Sequence, residues 1–140
     1  MDSVIVDIKN LKREFKIGEE TVKALNDVSF TIKTGEFITI MGSSGSGKTT
    51  LLNIIAGIDR PTNGNVIVAD TNIASLSETQ LAKWRSNTIG FIFQFYNLIP
   101  VLTAYENVEL PLMLTPLTKA ERKRQIELAL SVVGLGDRMH

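Results

Sequence analysis

Residues 42–49 read GSSGSGKT, with Gly42, Gly47, Lys48 and Thr49 at the fixed positions of the spacing G-x-x-x-x-G-K-[ST]. The chemistry this spacing suits is the holding of phosphate. A phosphate is bound well when several backbone N–H groups converge on it, and a tightly wrapped loop supplies them. Glycines permit the wrap and let the main chain approach the anion closely. A helix starting at the end of the loop adds its free first-turn N–H groups and the positive end of its dipole. Lys48 is then the candidate catalytic cation, within reach of the β and γ phosphates, and the Thr49 hydroxyl a candidate Mg²⁺ ligand. The candidate contact set is Gly42, Ser43, Ser44, Gly45, Ser46, Gly47, Lys48, Thr49 and Thr50. The plainer alternative is a serine- and glycine-rich turn that only caps a helix.

The flanking pattern favours the phosphate loop, which needs a strand before it and a helix after it. Phe37 to Met41 is nearly continuous and apolar, which predicts a strand buried on both faces. Leu51, Ile54, Ile55 and Ile58 fall at i, i+3, i+4 and i+7, one apolar face of a helix, with Gly57 and Pro61 as stop signals. Upstream, Val4, Val6 and Ile8 alternate with Ile5 and Asp7. Val28, Phe30 and Ile32 alternate with Ser29, Thr31 and Lys33, as half-buried strands do. Gly18 marks a hairpin turn between them. Val66 to Ala69 predicts a further strand after the turn RPTNG, and Ile89 to Phe93 a second strand of the buried type, ending at Gln94. Three capping boxes predict helix starts: Ser77 with Gln80, Thr103 with Glu106, and Thr118 with Glu121. The last of these helices carries Ile126, Ala129, Leu130 and Val133 on one face and stops at Gly134.

Composition narrows the function further. Fifteen Lys and Arg balance fifteen Asp and Glu, so the net charge is zero, which argues against a nucleic-acid partner. No cysteine is present, which excludes disulfides and Cys-ligated metals within these residues. No apolar run approaches the ~20 residues of a spanning helix, and the first ten residues lack the basic start and apolar stretch of a signal peptide. Membrane contact is therefore expected only through a partner. The guanine-reading pattern N-K-x-D is absent. Arg122, Lys123 and Arg124 could serve as the basic lid of a small-molecule kinase, but they fall on the polar side of the last helix and are read as a solvated face.

Two longer stretches are more specific than the loop. GSSGSGKTTLLNIIAG, preceded by GEF, resembles the Walker A region of the ATP-binding subunits of ABC transporters. IGFIFQFYNLIPVLTAYENVELPL resembles that family's Q-loop region. Within the family, GEETVKALNDVSFTI and ENVELPL are most similar to bacterial subunits that energise lipoprotein release and macrolide export. The likeness runs from Val4 to His140.

The resemblance implies an α/β fold: a P-loop core with an N-terminal antiparallel β portion and helical segments after the Q-loop. It implies ATP and Mg²⁺ as ligands, and ATP hydrolysis coupled to export across the cytoplasmic membrane. It implies a homodimer of nucleotide-binding domains held to a transmembrane permease subunit at the cytoplasmic face. Gln94 matches the glutamine that ligates Mg²⁺ and senses the γ phosphate; an ordinary strand-end glutamine is the alternative. Phe15 lies where the family has an adenine-stacking aromatic residue, commonly tyrosine; core packing is its alternative. Residues 95–116 correspond to the surface where the permease's coupling helix docks, and Phe95, Tyr96, Leu98 and Ile99 could form that dock or belong to a core.

The family's later elements are not found in these residues: no LSGGQ signature, no strand ending in Asp-Glu, no switch histidine. Val66 to Asp70 imitates the Walker B strand, but Thr71 stands where the catalytic glutamate belongs, so Asp70 is read as a turn residue. Residues 1–140 are thus expected to be the N-terminal part of a single, truncated ABC-type nucleotide-binding domain, catalytically inactive alone. The alternatives are a natural nucleotide-binding module that does not hydrolyse, and an unrelated kinase-type enzyme.

Overall fold

A computed structural model describes residues 3–140. The chain divides into two compact units, Met1–Phe91 and Ile92–His140.

The first unit is built on an antiparallel sheet. Strands β1 (Val4–Ile17) and β2 (Glu20–Lys33) form a long hairpin, closed by the two residues Gly18 and Glu19. The positive φ of 63° at Gly18 is what a type II′ turn needs at its first position. β3 (Asn63–Val68) pairs with the other edge of β1, and the two-residue β4 (Thr71–Asn72) completes the order β2-β1-β3-β4. Ala69 and Asp70 link β3 to β4 with φ of 46° and 59°, the doubly positive pattern of a type I′ turn. Asp70 is therefore a hairpin residue, as expected.

Alternation of buried residues on β1 is interrupted after Ile8. Val6 and Ile8 enter the core, but the register with β2 shifts between Ile8 and Leu11, so Leu11 is the next buried residue. Asn10, at φ 50°, takes up the extra residue and donates its side-chain amide to Asp27 Oδ1 at 2.9 Å. Helix α1 (Lys48–Ile55) lays Leu51 and Ile54 on this sheet beside Leu25, Val66 and Val68. It ends in a Schellman motif: Ile58 N–H donates to Asn53 O at 2.7 Å and Gly57 N–H to Ile54 O at 2.9 Å. Ile58, expected on the helix face, lies beyond this stop and is exposed. A Cβ on Gly57 would stand 2.8 Å from Leu81 Cδ1, so the same glycine lets helix α2 (Glu78–Thr88) pack closely.

The second unit packs helix α3 (Ala104–Leu112) against helix α4 (Lys119–Val132). All three expected capping boxes form, at Ser77, Thr103 and Thr118. On α4 only Ile126 and Leu130 are buried, whereas Ala129 and Val133 are exposed. Gly134 ends α4 with Leu135 N–H donating to Leu130 O and its own N–H to Ser131 O. Arg122 does not lie on a solvated face: its Nη1 donates to Leu117 O at 2.9 Å and its Nε stands 3.8 Å from Glu109 on α3.

Two expected strands are not formed. Phe37 to Met41 and Ile89 to Phe93 have no regular structure, and Phe37 is 94%, Met41 86% and Ile92 99% exposed. A doubly buried strand needs parallel neighbours on its edges and covering layers on both faces. The described strands pair only antiparallel with one another, so apolar content alone does not place these segments in a sheet.

The capping boxes carry a pH dependence. The backbone N–H of Thr103, then its hydroxyl, hold the Glu106 carboxyl below its ordinary value of 4.5. The Thr118 hydroxyl, then its N–H, do the same for Glu121. A carboxylate lowered in the folded state stabilises above its unfolded pKa, and that stability is lost as pH falls through the folded value. Helix content should therefore fall as pH drops below the ordinary carboxylate range. Glu106→Gln with Glu121→Gln, which keeps neutral acceptors, should flatten that part of a circular dichroism titration; an unchanged profile would contradict it.

Candidate nucleotide-binding site

The loop at residues 42–47 is shaped by close contacts at two of its glycines, of which the one at Gly47 excludes a side chain. A Cβ on Gly42 would lie 2.7 Å from Ser46 Oγ. A Cβ on Gly47 would lie 2.4 Å from Ala24 O, and Gly47 has a φ of 87°, so both space and backbone conformation require glycine there. The approach of loop to sheet depends on β2. Its register with β1 passes from Arg13 opposite Leu25 to Glu14 opposite Lys23, leaving Ala24 as the extra residue of a bulge. Ala24 and residues 45–50 line a hollow of about 160 Å³.

α1 begins at this hollow with Gly47 as its N-cap and no side-chain cap, in contrast to the capping boxes of α2, α3 and α4. Its first-turn N–H groups have no intrahelical acceptors, and no acidic side chain stands in that turn. An anion is the ligand that such an end suits. Lys48 donates from Nζ to Gly42 O at 2.9 Å, Ser43 O at 2.7 Å and Ser46 Oγ at 3.4 Å, tying the ends of the loop together. Phosphate oxygens are stronger partners for an ammonium than neutral carbonyls. The structure thus gathers residues 45–50 around one hollow, and Lys48 ties Gly42 and Ser43 to it. Thr49 is exposed in the first turn of α1. Among the described residues no group of three or more His, Cys, Asp or Glu is placed to hold a metal. Mg²⁺ fits only in the manner usual for nucleotide sites, on a hydroxyl and on the phosphates themselves.

Phe15 lies on β1 opposite Val22 and is half-buried. It is neither in the core cluster nor among the residues packed on it. The Arg13 guanidinium lies 4.3 Å from its ring centroid. Gln94 belongs to the second unit, exposed in a bend without regular structure.

Sequence reasoning missed three residues. Ala24 and Arg13 have no motif; the signal for Ala24 was a small residue among larger alternating ones. Asn107 sits inside α3, where asparagine is not favoured. Its side chain accepts from Ile99 N–H at 2.8 Å and donates to Leu102 O and Thr103 O at 3.1 and 2.9 Å, fixing the loop before the helix.

Residues 25–140 match the ABC transporter family. The chain belongs to that family. An uncharacterised ABC transporter ATP-binding protein of Thermotoga maritima is 44% identical over 136 residues, covering 97% of this chain and 58% of that protein. The macrolide export ATP-binding/permease protein MacB of Hyphomonas neptunium is 43% identical over 140 residues, the whole of this chain and 22% of MacB. The fold is that of an ABC cassette: the dimeric, post-hydrolysis cassette MJ0796 bound to ADP and Pi superposes with a TM-score of 0.85 at 44% identity, over 96% of this chain and 59% of that one. This ABC-family chain therefore spans little more than half the length of the separate subunits it resembles. No helix among its described residues is long and apolar enough to cross a membrane.

Proposed function

We propose that the chain is the N-terminal part of a single nucleotide-binding domain that, in the full-length protein, couples ATP binding and hydrolysis to export. The observation that carries this reading is the cradle, with an uncapped helix start, a Gly47 that admits no Cβ, and Lys48 across the loop. In this reading the first-turn N–H groups and Lys48 would hold the β and γ phosphates, the Thr49 hydroxyl would hold Mg²⁺, and Phe15 would stack on adenine. The bound ion would supply neutralisation of phosphate charge. A triphosphate is strongly anionic and no acidic side chain stands in the first turn of α1, so the electrostatics of the helix end favour it over a neutral ligand. Calorimetry on the full-length protein tests the base platform. Phe15→Ala should weaken ATP about three- to tenfold, the scale of an aromatic stacking contact. Inorganic tripolyphosphate, which has no base, should bind as before.

The partners that fit this reading are a second copy and a transmembrane permease subunit at the cytoplasmic face of the membrane, with no nucleic acid. Phe95, Tyr96, Leu98 and Ile99 are exposed, which supports a dock over a core. Beside them, Leu98, Ile99, Leu102, Val108, Leu130 and Leu135 line a largely apolar hollow of about 330 Å³. Photocrosslinkers at Tyr96 and Asn97 should capture the permease. Capture only from positions outside residues 95–116 would remove this surface from the interface.

A further inference from the structure

Arg13 holds two partners at once. Its guanidinium lies over the Phe15 ring, 4.3 Å from the centroid. Its fork grips Asp59, Nε to Oδ2 at 2.9 Å and Nη2 to Oδ1 at 2.8 Å. Both side chains are only about a quarter exposed, so the pair is partly shielded from solvent. Asp59 is fixed in turn. Its N–H donates to Asn53 O at 3.1 Å as the chain leaves the Schellman turn of α1, and its Oδ1 accepts from Arg60 N–H at 2.7 Å.

The placement gives the contact a direction. Asp59 stands just past the C-terminal end of α1, whereas the cradle forms at its N-terminal end, and the eight residues between make a helix about 12 Å long. The ring of Phe15 is therefore braced from the end of α1 remote from the phosphates. We propose that Arg13 and Asp59 are a positioning pair for a purine base. Arg13 covers one face of Phe15 and leaves the other to stack on the base of a nucleotide whose phosphates lie in the cradle. This rests on the reading of Phe15 as the base platform. An aromatic side chain near a hairpin tip loses rotamer freedom when a ligand stacks on it, and a ring already held loses less. Arginine suits the task better than lysine because its flat face stacks while its fork binds a carboxylate at two points.

The experiment compares ATP with inorganic tripolyphosphate by calorimetry on the full-length protein. Arg13→Ala and Asp59→Asn should each weaken ATP about two- to fivefold, the scale of a partly exposed cation–π contact, and leave tripolyphosphate unchanged. Arg13→Lys should fall between wild type and alanine. In the Phe15→Ala background Arg13→Ala should add nothing, because both act through one ring. A purely structural pair would weaken both ligands alike, which overturns the proposal. So does an unchanged ATP-to-tripolyphosphate ratio in Arg13→Ala when Phe15→Ala shifts it; the platform then stands and the pair does not position it. Tighter ATP binding by Arg13→Ala would mean that the guanidinium occupies the face the base needs, and also overturns it. An unchanged ratio in Phe15→Ala refutes the platform first and the pair with it. Should Arg13→Ala not fold, Asp59→Asn and Arg13→Lys decide by the same ratio.

Discussion

Residues 1–140 prepared alone are expected to release phosphate from MgATP at least about 10³-fold more slowly than a full-length cassette of the same family. The reason lies in what the cradle can do. In the proposed reading it offers N–H groups and the Lys48 ammonium, which would grip phosphate oxygens whether or not reaction occurs, and the Thr49 hydroxyl, which would hold Mg²⁺. Uniform grip of ground state and transition state lowers the dissociation constant without accelerating the chemistry. Hydrolysis also needs a group that orients the attacking water and charge placed where the transition state develops it. The nearest candidate carboxylate by sequence pattern, Asp70, is taken up in the turn between β3 and β4, with a left-handed backbone and Thr71 after it. Phosphate release measured from both proteins under identical conditions decides the matter. Comparable turnover would mean that Asp70, or another residue of these 140, supplies the missing carboxylate.

Lys48→Ala is expected to weaken ATP binding by the full-length protein about 10- to 150-fold, the equivalent of one charge-assisted hydrogen bond at roughly 1.5–3 kcal/mol. Two effects oppose each other here. The ammonium gives up its contacts to Gly42 O, Ser43 O and Ser46 Oγ when it turns to a phosphate, which lowers its net contribution. Those same contacts keep the loop wrapped, so alanine also loosens the cradle. The charge term is the larger, because the carbonyl contacts are exposed and water replaces them at little cost. Tripolyphosphate should lose affinity by the same factor as ATP, in contrast to the Phe15 variant. Calorimetry showing unchanged affinity for both ligands would remove Lys48 from the site.

Much of the local structure was legible because local rules decide it. A hydroxyl three residues before a Glu or Gln satisfies two orphan N–H groups within one turn, and nothing distant is needed. The helices at Glu78, Ala104 and Lys119 accordingly start where Ser77, Thr103 and Thr118 place them. The stop of α1 at Gly57 and the turn at Gly18 belong to the same class. Burial was less legible. Leu51 and Ile54 reach the core but Ile58 does not, because the helix ends at Ile55 and the Schellman turn carries the chain away before Ile58. On α4, Ala129 and Val133 share a stripe with Ile126 and Leu130 yet remain exposed, since α3 covers only part of that stripe.

The sequence by itself determined the local loop: the glycines, Lys48 and Thr49 stand at the spacing of a phosphate loop, and the Lys48 contacts to Gly42, Ser43 and Ser46 that close it span six residues or fewer. It did not determine whether Phe37 to Met41 and Ile89 to Phe93 become strands. A strand is completed by hydrogen-bond partners from elsewhere in the chain, and apolar content states only what a segment could bury. Tertiary structure alone decided that the bulge at Ala24 meets Gly47, and that Arg13 reaches across to Asp59 with Phe15 beneath it. These contacts join positions 23 and 46 residues apart. Their specificity comes from the sheet register and the crossing of α1 over it, which no local spacing encodes.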